Sequence, residues 1–299
     1  MDSSHPQRIS SSNRKSKATD SVMVTCKRAK FMATYYQQNF SMPDSVFYIA
    51  TNPKTPTFYL KMVKTCKYFF VKNPIIVIPD LYARGGKWCS DHFPLTLTKY
   101  NSKYWITEEI YGSANEFVDK NIFSPIIPEI YQCDVKRLFL SDQIISYHDL
   151  SLIISSAERI KLTNVIVKHS DSSDAPLEDI VAVTVNAKSV IVDKPTITLK
   201  TIKELTKLPN FKELDGFTLY DLSEVFDIYE FYGYMKKNQH TKIYISFDEQ
   251  ISDAFKNRLE TIVDEILETK HINYKPPLIK FYGVDIQKFV KLCRICSSH

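Results

Sequence analysis

The thiols are the residues of this chain best placed to do chemistry. Cys66 stands among lysines and aromatic residues in MVKTCKYFF (62–70), and Cys293 and Cys296 form a Cys-x-x-Cys pair in CRIC. A thiolate is a nucleophile when a cationic neighbour or a histidine lowers its pKa. A Cys-x-x-Cys pair is half of a zinc site, which needs four ligands. No second pair at matching spacing is visible, and Cys26, Cys66, Cys89 and Cys133 are isolated, so no metal site is expected. A redox pair would follow an early strand rather than lie near the end of the chain. Among seven histidines, His148 has an acid beside it, Asp149 in SYHDL, but this is also how a polar helix start reads. Glu108–Glu109 and Asp264–Glu265 are adjacent pairs that diverge on their elements. No acid, base and nucleophile converge, so no enzyme activity and no cofactor are expected.

Phosphate-cradling loops need backbone without Cβ atoms, and the chain has only 6 glycines. It contains neither G-x-G-x-x-G nor G-x-x-x-x-G-K-[ST], and its one Gly pair, in RGGKW (84–88), reads as a turn. A binding protein is the expectation that remains.

The net charge of +5 is unevenly placed. Residues 1–30 carry Arg8, Arg14, Lys15, Lys17, Lys27, Arg28 and Lys30 against Asp2 and Asp20, which leaves the rest close to neutral. This Ser-rich basic tail predicts disorder. It could serve as a nuclear-import signal or a nucleic-acid arm, although a solvated tail without a partner fits the same composition. Lys64, Lys67 and Lys72, interleaved with Tyr68 and Phe69, read as a solvated lysine face, because a neutral body disfavours nucleic acid. No stretch is long and apolar enough to span a bilayer or to act as a secretory signal, and six unpatterned cysteines then predict an intracellular protein with reduced thiols, cytoplasmic or nuclear.

An apolar fraction of 44% and an aromatic fraction of 13% predict a substantial core. Pro43, Asp44 and Ser45 start a short helix, DSVFYIAT, which NPKTP ends. A second helix is expected over about 57–71, with Phe58, Met62, Cys66 and Phe70 four residues apart on one stripe. That placement makes Cys66 a packing residue. NPIIVIPDLY reads as a strand, LTLTKYNSKYWITEEI as a hairpin around YNS, and SANEFVDKNIF as a helix capped by Ser113. From residue 133 strands and helices alternate: VKRLFLS, HDLSLIISS, ERIKLTNVIV, PLEDIVAVT, KSVIVDK, LKTIKELTKL, DGFTLYDL, DIYEFYGYMKKN, TKIYISFD, a long helix over about 251–269, and PPLIKFYG.

Strand-plus-helix units of roughly 25–30 residues fit a leucine-rich-repeat-like solenoid, with a doubly wound α/β domain as the rival. Short alternating strands such as RLFL, RIKL and KIYI favour the solenoid, because a sheet buried on both faces reads as continuous Val and Ile. The expected fold is thus α/β. A disordered tail (1–30) precedes a small helical module (40–72), a connecting segment with hairpin and helix (73–132), a strand–helix repeat domain (133–285) and a C-terminal helix or tail (286–299). On such an array Phe139, Lys161, Ile191, Thr218, Tyr244 and Lys280, lying between buried pairs, would face outward together and form a target-recognition surface.

MPDSVFYIATNPKTPTFYLKMVKTCKYFF resembles an F-box. Met42 and Pro43 stand at its Leu-Pro position, Val46, Phe47 and Ile49 on its first helix, and Val63, Cys66, Lys67 and Phe69 near its Val-Cys-Lys-aromatic end. With the strand–helix units that follow, the chain is similar to the nematode-expanded F-box-like proteins. That resemblance implies a Skp-family adaptor and a cullin complex as partners. The adaptor would be bound by Met42, Pro43, Val46, Phe47, Ile49, Met62, Val63, Cys66 and Phe69. It also implies a role as substrate receptor of a cullin-RING ubiquitin ligase, with the repeats choosing the target protein. Alternatives are a stand-alone interaction protein whose F-box has decayed, and a nucleic-acid binder using the basic tail.

Overall fold

The computed structural model describes residues 43–84, 87–91, 93–95 and 102–298. The basic tail, Met42 and the first arm of the expected hairpin (96–100) lie outside them. The chain divides into two compact units, Met1–Asn52 and Pro53–His299. The expected 40–72 module straddles that division. In the first unit the described element is helix α1 (Asp44–Thr51).

The second unit opens with two short helices, α2 (Pro56–Thr65) and α3 (Lys67–Lys72). Strands β1 (Ile75–Arg84), β2 (Lys87–Ser90), β3 (Phe93–Pro94), β4 (Lys103–Ser113) and β5 (Ile130–Cys133) follow. Then strands and helices alternate: β6 (Arg137–Ser146), α4 (Tyr147–Ile154), β7 (Arg159–Lys168), α5 (Leu177–Ala182) and β8 (Ser189–Asp193). The series continues with α6 (Thr201–Leu205), α7 (Pro209–Lys212), β9 (Gly216–Leu222), α8 (Ile228–Met235) and β10 (Lys242–Phe247). It ends with α9 (Asp253–Glu268), β11 (Leu278–Lys280) and α10 (Ile286–Ser298).

All eleven strands form one sheet, in the order β11-β10-β9-β8-β7-β6-β4-β1-β2-β3, with β5 paired to β4 off that path. The fold is therefore mixed α/β, with a mostly parallel sheet that does not close into a barrel. From β6 to β11 each strand lies beside its predecessor in the chain and parallel to it, as expected when a helical crossover joins each pair. Polar caps start several of the helices. Ser146 Oγ accepts from Asp149 N at 3.0 Å in α4, and Asp227 Oδ1 from Glu230 N at 2.9 Å in α8. Ser252 Oγ accepts from Phe255 N at 3.2 Å in α9.

The core lies on one face of this sheet. Leu138 and Leu140, Ile160 and Leu162, Val190 and Val192, Phe217 and Leu219, Ile243 and Ile245 are buried in one cluster. The apolar stripes of the helices join it, among them Leu150 and Ile153 of α4, Val181 of α5, Phe231 of α8, and Leu259, Ile262 and Ile266 of α9. Each fully buried side chain of this size stabilises by about 1.5–3 kcal/mol relative to exposure. The residues between them, such as Phe139, Lys161 and Ile191, are not buried, so burial alternates along the pairs of β6 to β9 rather than running continuously.

Two expectations fail here. No helix forms over 114–123, which is turns and bends. Instead Lys120 Nζ donates to Ala114 O at 2.7 Å, and Phe123 packs into the core against Trp88, 5.0 Å between rings. Phe123 also sits on Gly112, where a Cβ would stand 2.8 Å from its ring. The tertiary pull on that aromatic outweighs local helix preference. The second arm of the expected hairpin is β4, but its partners β1, β5 and β6 are all parallel to it.

Two regular ladders run across the parallel strands. Just ahead of each strand, Lys136 N donates to Glu108 O, Glu158 N to Lys136 O, Lys188 N to Glu158 O, Asp215 N to Lys188 O and Lys242 N to Asp215 O, at 2.8–3.0 Å. The charges along this ladder alternate in sign, with Lys136–Glu108 at 3.1 Å and Lys188–Glu158 at 2.9 Å. Further along, Asp142, Asn164, Lys194 and Asp221 all take a left-handed backbone, φ 52–54°, each three residues beyond an outward-facing position. Asp and Asn tolerate this conformation best. Asn164 Nδ2 donates to Asp142 Oδ1 at 2.9 Å across the step.

The Lys188 ammonium hydrogen-bonds the Glu158 carboxyl and holds its pKa below the usual carboxylate range. A depressed carboxyl contributes stability that is present above its unfolded pKa and is lost as pH falls through the folded one. Glu158→Gln should therefore be less stable than wild type at neutral pH. In urea unfolding the difference should shrink below about pH 4.3, the unfolded value, and vanish at lower pH.

Candidate interaction surface

The sheet face opposite the core is the surface that the fold leaves uncovered by crossover helices. Strand register brings residues from many strands into one row on it: Tyr82, Tyr111, Phe139, Lys161, Ile191, Thr218 and Tyr244. Five of the six residues expected to face outward together lie in this row. The sixth, Lys280, pairs with Ser246 and stands one step along the same face. Tyr82 and Tyr111 extend the row beyond the expected set, with ring centroids 6.3 Å apart. Sequence reasoning missed them because β1 reads as a continuous apolar run and β4 as half of a hairpin.

The flanking rows are polar. On one side Glu109 pairs with Arg137, Nε to Oε2 at 2.6 Å, and Asp80 accepts from Ser90 Oγ at 3.3 Å. On the other stand Ser113, Ser141, Thr163, Asp193 and Tyr220 in register. Burial and the nearby Asp221 raise the pKa of the Asp193 carboxyl. Tyr220 and Tyr244 put two rings 5.3 Å apart towards the β11 end. This is an amphipathic, aromatic-bearing surface of the kind protein interfaces use.

The residues expected to bind an adaptor are placed differently. Pro43, Val46, Phe47 and Ile49 are exposed at the start and along α1, as is Tyr48. Met62 and Phe69 are half-buried, and Phe69 meets Tyr68 edge to face at 6.3 Å. Val63 packs on a small cluster of Tyr59, Ile75 and Trp105. Cys66 needs a correction. The single helix expected over 57–71 breaks there, at φ −151° and ψ 122°, and the thiol is exposed rather than packed in a stripe. The buried face belongs to Tyr59, 1% exposed, while Phe58 is 44% exposed. Tyr59 wins because its hydroxyl has partners: it donates to Asn73 O at 2.7 Å and accepts from Ile75 N at 3.0 Å. Trp105 is locked beside it, its Nε1 donating to Asp134 Oδ2 at 2.6 Å.

Among the described residues the thiols lie on separate elements from the histidines. Burial pushes the Cys133 thiol up to about 12, and it sits 3.6 Å from Ile153 O. Burial also raises Cys296 to about 12. His148 is exposed on α4, and the N–H of its neighbour Asp149 serves the Ser146 cap. His169 Nε2 lies 3.1 Å from Asp179 Oδ2. Among the described residues no group of three His, Cys, Asp or Glu could hold a metal ion. No helix among them is long and apolar enough to cross a membrane.

No protein-family model matches the chain, no curated protein matches it, and no solved structure matches it.

Tyr59→Phe removes both hydroxyl hydrogen bonds and should cost about 1–2 kcal/mol in urea unfolding. Cys66→Ala, at an exposed break, should stay within about 0.5 kcal/mol of wild type.

Proposed function

We propose that this chain is a non-enzymatic adaptor whose uncovered sheet face binds a target protein. The observation that carries the reading is the single register row from Tyr82 to Tyr244, in which no residue is fully buried while its neighbours in each strand are core. In this reading the units from β6 to β11 are an irregular leucine-rich-repeat-like solenoid. Chain-ordered parallel strands and a core on one face both support that.

The adaptor half rests on the F-box resemblance. In it α1, with α2 and α3, docks a Skp-family adaptor and so links the target to a cullin-RING ubiquitin ligase. The exposure of Val46, Phe47, Tyr48 and Ile49 on α1 supports this, because helix-in-groove recognition needs an uncovered apolar anchor. A second reading, a stand-alone interaction protein whose F-box has decayed, gains from Val63. That side chain packs on Tyr59, Ile75 and Trp105 within its own domain.

Pull-down with a Skp-family adaptor separates the two. The adaptor role predicts capture by the full chain and loss of capture in Val46→Asp/Phe47→Asp, at an unchanged urea midpoint. Absence of capture by wild type, or capture undiminished in the folded double variant, would contradict it.

A further inference from the structure

The centre of the uncovered face holds one ammonium and three hydroxyls that make no side-chain hydrogen bond or ion pair among the described residues. The nearby anion is the Asp193 carboxylate, whose pKa burial raises and the Lys161 charge lowers. A depression of about 260 Å³ is lined by Tyr111, Phe139, Leu140, Ser141, Lys161 and Thr163. Register places Tyr111, Phe139 and Lys161 side by side in one row, and Ser141 beside Thr163 in the next. Several cations on these strands and their connections have partners: Lys136 with Glu108, Arg137 with Glu109, Lys188 with Glu158, Lys168 with Asp174 and Lys194 with Asp221. Lys161 is not among them. Its ammonium, the hydroxyls of Ser141 and Thr163 and the phenol of Tyr111 make no side-chain hydrogen bond or ion pair among the described residues. A cation and three hydroxyl-bearing side chains thus line one hollow together with Phe139 and Leu140.

We infer that this depression receives a carboxylate side chain of the target, an aspartate or glutamate set beside an apolar residue. The inference rests on the reading of this face as the target-binding surface. Charge complementarity selects the occupant: Lys161 takes the carboxylate, the hydroxyls of Ser141, Thr163 and Tyr111 donate to its remaining lone pairs, and the neighbouring apolar residue covers Phe139 and Ile191. A partly desolvated pair of this kind fixes register and selects partners. A monoanion fits better than a phosphate dianion. The depression offers one ammonium and no guanidinium fork, and Asp193 stands directly across from Thr163 on β8.

Selection of phage-displayed random peptides on the immobilised full chain tests this. Binders should be enriched in Asp or Glu next to an aromatic or aliphatic residue. Their affinity should fall roughly tenfold or more for Lys161→Glu and less for Lys161→Gln. Replacing the peptide's acid by Lys should restore binding to Lys161→Glu. Each variant must keep the wild-type urea midpoint, and Lys161 is exposed, so Lys161→Gln remains informative if the charge reversal disturbs the fold. Neutral or basic binders would overturn the inference, as would acidic binders indifferent to both substitutions. Binders that ignore Lys161 but are lost in Phe139→Ser would overturn it while leaving the face as a binding surface. Binders indifferent to Lys161 and to Phe139 alike would overturn both.

Discussion

Parallel register between β4 and β11 is the constraint on which the rest of the unit depends. Each strand presents alternate residues to opposite faces, and each is aligned with its predecessor, so one choice of register sets two surfaces at once. Leu138, Ile160, Val190, Phe217 and Ile243 go to the core together, and Phe139, Lys161, Ile191, Thr218 and Tyr244 go to the opposite face together. A slip by one residue in any strand would exchange the two sets. Apolar burial supplies the driving force for this arrangement. The alternating ladder Glu108, Lys136, Glu158, Lys188, Asp215 and Lys242 is exposed and contributes mainly by discriminating against the slipped pairing, which would place unlike partners out of line. The left-handed residues Asp142, Asn164, Lys194 and Asp221 bend successive strands at the same point, so the register persists through the bend, as the continued β6–β7 pairing from Gln143–Val165 to Ser146–Lys168 demonstrates.

The same constraint bears on the proposed role. A parallel sheet with helices on both faces is closed to partners except at its strand ends. Covering one face leaves the other available as a broad surface whose side chains can vary without touching the core. Its aromatic residues flank Lys161 on both sides, Tyr82, Tyr111 and Phe139 on one and Tyr220 and Tyr244 on the other. The α2–α3 segment is tied to the sheet by a different device, the Tyr59 hydroxyl bridging Asn73 and Ile75. That bridge determines which side of α2 is inside and so leaves Cys66 outside.

Much of the strand–helix alternation from β6 to β11 was legible in the sequence because local and tertiary signals agree there. RLFL, RIKL and KIYI alternate as half-buried strands do, and Ser252 announces α9 as its cap. The outward row followed from the same alternation. Legibility ended where a long-range contact overrides the local pattern. The segment after Ser113 has helix-like composition, but Phe123 is drawn onto Gly112 and Trp88. The run around Cys66 has perfect four-residue spacing, yet a buried hydroxyl on Tyr59 turns the helix by one position. The left-handed ladder carries a faint sequence signal, Asp, Asn and Asp three residues past three outward positions, which becomes meaningful only once the strands are aligned.

Hydroxyl-radical footprinting of the full chain, free and in complex with a protein partner recovered by cross-linking, tests the central claim most directly. Binding through the uncovered sheet face predicts protection of Tyr111, Phe139 and Tyr244, with Tyr229 on the helical side, 51% exposed, oxidised as before. Protection of Tyr229 with undiminished oxidation of the sheet-face aromatics would contradict it.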